Sequence, residues 1–235
     1  MTHTHGDTDT APGRRPAQSD AELFAHLETV LYTAVVSDSL DDLGVRDRAM
    51  DEHLRPVGAR SKFAGWARTI SCMDMYYLPD DPYGTEIAAI DSILPGEVVV
   101  VATGGSRRNA PWGELLSTAA LARGARGAVV DGLVRDVERI RDLGFPLFAA
   151  GIKPVDSKGR GQVVAWNVPV QCGGVLVSPG DLVFADYDGV VVIPSDMVDA
   201  VVRLATEKVT RENHSREELR KGAYLRAVYD KYGVL

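Results

Sequence analysis

The sequence predicts a single mixed α/β domain, and three observations carry that expectation. Eight apolar stretches have strand length and composition, at 64–71, 98–103, 128–131, 147–149, 163–167, 175–177, 182–185 and 190–193. Helical periodicity separates only some of them, at 83–93, 114–123 and 137–143, so the chain is no regular βαβ array. A length of 235 residues is enough for one full hydrophobic core and leaves little for a second.

Taken in order, residues 1–20 are rich in Thr, Asp, Pro, Gly and His and offer nothing to bury, so a disordered tail is expected there. His3 and His5 in that tail would bind metal only adventitiously. The domain itself is expected to span 21–195. It opens with Leu23, Phe24, Leu27, Val30 and Leu31, a helical stripe that ends by Tyr32. The run Thr33 to Leu40 reads as a short strand entering a helix capped by Ser37 or Asp38. Two matching turn phrases, Pro95-Gly96-Glu97 and Pro179-Gly180-Asp181, each launch an apolar strand.

Gly104-Gly105-Ser106 follows a strand but lacks both the Gly-Lys-Ser/Thr of a nucleotide-phosphate loop and the third glycine of a dinucleotide fingerprint. Glycines there still allow a backbone to approach a ligand closely. Past Pro194, Met197, Val198, Val201, Leu204 and Ala205 form one amphipathic stripe and Tyr224, Leu225, Val228 and Tyr229 another, with a densely charged run between. Residues 196–235 are therefore expected to be a helical arm that packs on a neighbouring subunit.

Composition removes several function classes. The net charge is −7 and no extensive Lys/Arg cluster exists, which disfavours direct nucleic-acid binding. Cys72 and Cys172 are too few for a disulfide framework or a zinc site and read as small buried hydrophobes. No apolar run is long enough for a signal peptide or a membrane span, so a cytoplasmic location is expected.

The stretch from Trp112-Gly113-Glu114-Leu115-Leu116 to Val134-Arg135-Asp136 carries the chemistry candidates. Glu114 opens a helix, and Arg135 and Asp136 follow a buried strand, so packing that helix on that strand brings two carboxylates and a guanidinium to one edge. Spacing alone leaves a plainer reading open: Glu114 favours the helix dipole, Asp136 caps the next helix and Arg135 is a surface partner.

An acidic residue, twenty intervening residues and then Arg-Asp resembles the signature of the RraA-like family, standing here as Glu114, Leu115 to Val134, and Arg135-Asp136. Gly144-Phe145-Pro146-Leu147-Phe148-Ala149, Asn167-Val168-Pro169-Val170 with Cys172-Gly173-Gly174-Val175, and Pro179-Gly180-Asp181 through Gly189-Val190 resemble its later blocks in the same order. The family includes class II pyruvate aldolases acting on 4-hydroxy-4-methyl-2-oxoglutarate or 4-carboxy-4-hydroxy-2-oxoadipate. It also includes a protein inhibitor of ribonuclease E.

The resemblance implies a swivelling β/β/α domain, an αββα sandwich. It further implies a divalent cation, Mg2+ or Mn2+, held by Asp136 with Glu114 acting through water, and Arg135 on the substrate carboxylate or enolate oxygen. Pyruvate would be bound at Gly113, Leu115 and Leu116, the leucines through backbone amides, with their side chains free to be core. Oxaloacetate decarboxylation is the implied side activity. The implied assembly is a homotrimer or homohexamer in which Glu207 or Glu212 reaches a neighbour's site.

The residues bear on three alternatives. A Schiff-base aldolase would need a lysine such as Lys153, whose surroundings Val155 to Arg160 are polar and loop-like, with no apolar pocket to lower its pKa. A methyltransferase would need a glycine-rich loop with an acidic ribose ligand, and none is evident. A non-catalytic ribonuclease regulator has no need of Glu114, Arg135 and Asp136 together. Distal specificity would rest on loops such as the one running from Met73 to Tyr83.

Overall fold

Most of the apolar runs form strands buried on both faces, which is why they lack polar alternation, while those at 163–167 and 175–177 expose Val164 and Leu176 on one face. The computed structural model describes residues 17–58 and 60–234. His3 and His5, with most of the expected tail, lie outside these residues. The chain begins with α1 (Ala17–Thr29), α2 (Thr33–Asp42), β1 (Arg55–Pro56), β2 (Phe63–Asp74), α3 (Gly84–Asp91) and β3 (Glu97–Ala102). Next come α4 (Glu114–Ala122), β4 (Gly127–Val134), α5 (Val137–Leu143), β5 (Leu147–Ile152), β6 (Gly161–Trp166), β7 (Val170–Cys172) and β8 (Val175–Val177). It closes with β9 (Leu182–Asp186), β10 (Gly189–Ile193), a 3-10 turn at Ser195–Met197, α6 (Val198–Arg220) and α7 (Leu225–Tyr232).

Strand order in the main sheet is β1-β5-β4-β3-β2-β9-β10, with β6 also on β2 and β7-β8 as a separate hairpin. The 12-residue β2 is the shared member. One edge pairs in parallel with β3, while the other takes β9 at Phe63 to Trp66 and β6 at Ile70 to Asp74, both antiparallel.

Side-chain alternation then sorts the core into layers. Val99, Val101, Ala128 and Val130 pack against Ala89, Ile90, Ala120 and Ile140 of α3, α4 and α5. Their strand neighbours Val98, Val100, Val129 and Phe148 face Val170, Cys172, Val175, Val183 and Val192 from β7 to β10. The opposite face of β9 and β10, with Leu182, Phe184, Val191 and Ile193, is covered by α1, α2 and α6 through Leu27, Val36, Leu40 and Val201. Helices, strands, strands and helices thus stack as the αββα sandwich. Phe63 and Phe148 meet edge-on at 5.8 Å inside it, worth about 0.5–1.5 kcal/mol beyond burial.

Several expectations need correction. Thr33 to Leu40 holds no strand: it lies wholly within α2, and Ser37 and Asp38 sit mid-helix with Asp38 exposed. The β-branched run looked strand-like, but burial of Val35, Val36 and Leu40 among α1 and α6 residues favours the helix. Its first turn is anchored by a distant carboxylate, since the Thr33 amide and hydroxyl donate to Asp186 at 2.8 and 2.6 Å. Helix α1 begins at Ala17, inside the expected tail, because Asp20, Leu23 and Phe24 are already buried. The first half of the expected arm belongs to the chain's own core, with Val198, Val201, Ala205 and Val209 buried. Among the described residues no helix is long and apolar enough to cross a membrane.

Asp186 also accepts the Asp188 amide at 3.0 Å and is only 9% exposed. Asp186→Ala should therefore leave the Thr33 amide and hydroxyl unpaired and lower unfolding free energy by about 2–4 kcal/mol, read from urea denaturation.

Candidate active site

Strands β3, β4 and β5 run parallel, so their carboxyl ends share one edge, where α/β sheets place their ligands. Short parallel bridges sew the following segments together there: Ala110 pairs with Asp156, and Trp112 pairs with Val134. The Arg135 amide donates to the Trp112 carbonyl at 2.9 Å. Trp112 is buried and stacks on Phe145 with centroids 6.2 Å apart. Its indole N–H donates to the Ser117 hydroxyl at 2.8 Å, which donates in turn to the Gly113 carbonyl at 3.0 Å. The junction between loop and α4 is thereby held by packing and by hydrogen bonds.

Gly113 is the N-cap residue of α4 in extended backbone. A Cβ there would lie 2.7 Å from Asp136 Oδ2 and 3.1 Å from Arg135 Cγ, so only glycine leaves these side chains in place. The first bond inside the helix runs from the Ser117 amide to the Gly113 carbonyl. First-turn amides such as those of Leu115 and Leu116 have no intrahelical acceptor, and the dipole there suits an anion. Leu116 packs on the core, but Leu115 is 78% exposed, contrary to the expectation that both side chains serve as core.

Asp136 occupies the left-handed region at φ 60°, ψ 31° and is the N-cap residue of α5 by position, yet its side chain makes no capping bond. The carboxylate turns instead toward α4: Oδ2 accepts the Glu114 amide at 3.4 Å and lies 3.8 Å from Arg135 Nε. The plainer cap reading therefore fails for Asp136. The Glu114 carboxylate accepts the Thr118 hydroxyl at 2.8 Å, one turn on. Among the described residues no group of three or more His, Cys, Asp or Glu side chains is disposed to hold a metal, so any cation site here is sparse in protein ligands.

Arg135 Nη2 lies 3.1 Å from Asp156 Oδ1, and Asp156 Oδ2 accepts the Tyr83 hydroxyl at 2.5 Å. Tyr83, Glu86 and Asp156 were not singled out from sequence. The signal for Asp156 was its place just beyond β5, on the same strand-end edge as Arg135. Hydrogen bonding to Asp156, with burial, pushes the Tyr83 hydroxyl up to about 12. Burial works upward on Asp156 as well, but the Tyr83 hydroxyl, the Arg135 charge and the Ser157 and Lys158 amides bring it below the usual range. Burial, then the Asp156 charge, raises Glu86 to about 7 against the opposing pull of Arg135.

Lys153 is a tie between loops, its ammonium donating to the Arg107 and Arg108 carbonyls at 2.9 and 3.3 Å. That engagement leaves it unsuited to a Schiff base. Gly104 and Gly105 adopt left-handed backbone at φ 65° and 73°, and Ser106 donates to Asp74 at 2.7 Å. Burial pushes the Cys72 thiol up to about 12 and that of Cys172 well above its ordinary value, so both are inert core thiols.

With this geometry in view, the comparisons decide the family. The Aldolase/RraA profile of the RraA-like family matches residues 33–192. The chain belongs to the RraA-like family. Protein DlpA of Legionella pneumophila is 33% identical over 204 residues, covering 85% of this chain but only 32% of that protein, so this chain spans about a third of the relative. A Halalkalibacterium halodurans protein provisionally named 4-hydroxy-4-methyl-2-oxoglutarate aldolase is 31% identical, covering 82% of this chain and 86% of its own length. The crystal structure of Streptomyces coelicolor RraAS2, described as an unusual member of the RNase ES inhibitor RraA protein family, superposes with a TM-score of 0.75. It is 34% identical and covers 87% of this chain and 99% of that one. This RraA-like family thus has relatives carrying both an enzyme name and a regulator name.

Glu86 gives a pH test. Its pKa is raised from 4.5 to about 7, so the folded chain binds this proton more tightly than the unfolded chain does. The cost of charging it is absent below pH 4.5, grows as pH rises, and is full above about pH 7. Glu86→Gln should therefore raise the melting temperature at pH 8, by an amount corresponding to about 1–3 kcal/mol, and change little at pH 4.5.

Proposed function

We propose that this RraA-like chain is a carbon–carbon lyase that releases pyruvate from 4-hydroxy-2-oxo acids such as 4-hydroxy-4-methyl-2-oxoglutarate or 4-carboxy-4-hydroxy-2-oxoadipate, with oxaloacetate decarboxylation as a side activity. The observation that carries the reading is the Asp136 carboxylate: it makes no cap on its own helix and is turned toward the Glu114 amide beside Arg135. A small-molecule 2-oxo acid is then the partner.

Cleavage between C3 and C4 leaves a pyruvate enolate, so charge grows on the C2 oxygen as the bond breaks. The first-turn amides of Leu115 and Leu116 would take the C1 carboxylate, and Gly113 keeps the approach to them open. Arg135 would donate to the carboxylate or the C2 oxygen through its planar fork. A divalent cation, Mg2+ or Mn2+, fits the donor set. Asp136 is 44% exposed and free of capping duty, the Glu114 backbone lies against its carboxylate so that the Glu114 side chain could act through water, and magnesium characteristically takes one or two carboxylates and several waters. When bound, it would supply Lewis-acid polarisation of the 2-oxo group.

A second reading, a regulator that binds and inhibits a ribonuclease, is favoured by the likeness to the Streptomyces protein. Pyruvate release from a panel of 4-hydroxy-2-oxo acids and oxaloacetate separates the two. Activity should vanish in EDTA and return with magnesium or manganese. Arg135→Lys should cut turnover by about 100- to 1,000-fold, equivalent to about 3–4 kcal/mol, with the melting temperature almost unmoved, because the exposed ion pair itself is worth only about 0–1 kcal/mol. Unchanged turnover, or no turnover in the parent, would put the regulator first.

The reading includes assembly as a homotrimer or homohexamer with the C-terminal arm at the subunit boundary. On α7, Tyr224 is 86% and Leu225 55% exposed, while Val228 is buried within the chain. On α6, Glu207 is exposed beside Arg203 and Glu212 is partly buried. Truncation after Gly222 spares the α6 residues that belong to the core, and is expected to lower both oligomer size by light scattering and turnover.

A further inference from the structure

We propose that Asp156 and Tyr83 are positioning residues that hold the Arg135 guanidinium in its working orientation, a role that rests on the lyase reading above. The Arg135 side chain is 38% exposed at the strand-end edge, and a long side chain there would otherwise sample many rotamers. Asp156 Oδ1 takes the Nη2 end at 3.1 Å. The Nε edge is left facing Asp136 at 3.8 Å.

Asp156 is suited to this because it is fixed from several sides. Its backbone bridges Ala110, with the Ala110 amide donating to Val155 at 2.8 Å. The neighbouring Ser157 and Lys158 amides favour its charged form. The remaining oxygen accepts the Tyr83 hydroxyl at 2.5 Å. Tyr83 is itself the N-cap residue of α3, with its carbonyl accepting the Ile87 amide at 2.8 Å, so its ring is carried by a helix rather than a free loop. Two segments therefore brace the guanidinium carried at the end of β4: the one after β5 directly through Asp156, and the one before α3 through the Tyr83 bond to Asp156. The bond to Asp156 keeps the Tyr83 hydroxyl protonated up to about pH 12, and Asp156 stays ionised throughout the neutral range.

A residue that acts only through Arg135 must lose its effect when Arg135 is gone. The test is a double-mutant cycle on oxaloacetate decarboxylation combined with 15N relaxation of Arg135 Nε. Asp156→Asn should lower turnover roughly tenfold and Tyr83→Phe roughly threefold, and either should make Nε more mobile. On an Arg135→Lys background, Asp156→Asn should add less than about a twofold further loss, because the pair is coupled. A further loss equal to that in the parent, or unchanged Nε order in both variants, would overturn the proposal. Tyr83→Phe carries the same two readouts should Asp156→Asn fail to fold. A parent that releases no pyruvate would defeat the lyase reading alone, since Nε order still decides the brace.

Discussion

The bond from the Arg135 amide to the Trp112 carbonyl, 2.9 Å long, closes the end of β4 onto the segment that starts α4. Everything at the candidate site depends on it. Beyond Trp112 the chain turns at once into a helix, and the missing Cβ at Gly113 leaves room for the Asp136 carboxylate beside the helix start. Beyond Arg135 it must turn at once into α5, and Asp136 does so with a positive φ. One backbone bond therefore places a helix N-terminus, a guanidinium and a carboxylate side by side. The sandwich anchors the bond from below through Trp112 and Phe145, stacked in the core under α4 and α5.

That anchoring depends in turn on β2. By giving one edge to β3 and the other to β9 and β6, it joins two layers of strands that would otherwise need separate cores. The layer between them is filled almost entirely by valine, alanine and phenylalanine from both sides. Such strands show continuous apolar runs, since neither face meets water. The same feature that hides strand periodicity in the sequence makes the platform under the site stiff.

These facts explain what was legible. Eight strands, most of them buried, announced themselves as apolar runs, and the three inner helices stood where periodicity put them, with ends shifted by a residue or two. The two-residue β1 is too short for any pattern, and β7 carries the polar Gln171 at its centre, whereas the equally short β8 is apolar throughout; Gly173 and Gly174, both at positive φ, turn the chain between them. Helix α2 was misread at its start because its first-turn partner, Asp186, lies 153 residues away and no local signal could reveal it. Among the candidate site residues, Glu114, Arg135 and Asp136 were singled out by a family resemblance carried on their spacing across one helix and one strand, a spacing that by itself left a plainer reading open. Asp156 and Tyr83 were not, because they join Arg135 from other segments and share no spacing with it.

The geometry of Asp136 bears on the choice between the lyase and the regulator readings. A left-handed backbone is tolerated by aspartate but favours glycine, and holding a non-glycine residue there costs about 1 kcal/mol. Cap residues usually recover such a cost by bonding the first amides of their own helix. Asp136 does not; it spends its carboxylate on the neighbouring helix N-terminus and on an exposed, weakly stabilising contact with Arg135. Asp47 and Asn167 take similar left-handed backbone, at φ 60° and 55°, so it is the direction of the Asp136 carboxylate and not its backbone that sets this residue apart. Under the lyase reading proposed above that direction has a use, since a carboxylate beside an unpaired helix N-terminus and a guanidinium stands where an anionic substrate and a cation would meet.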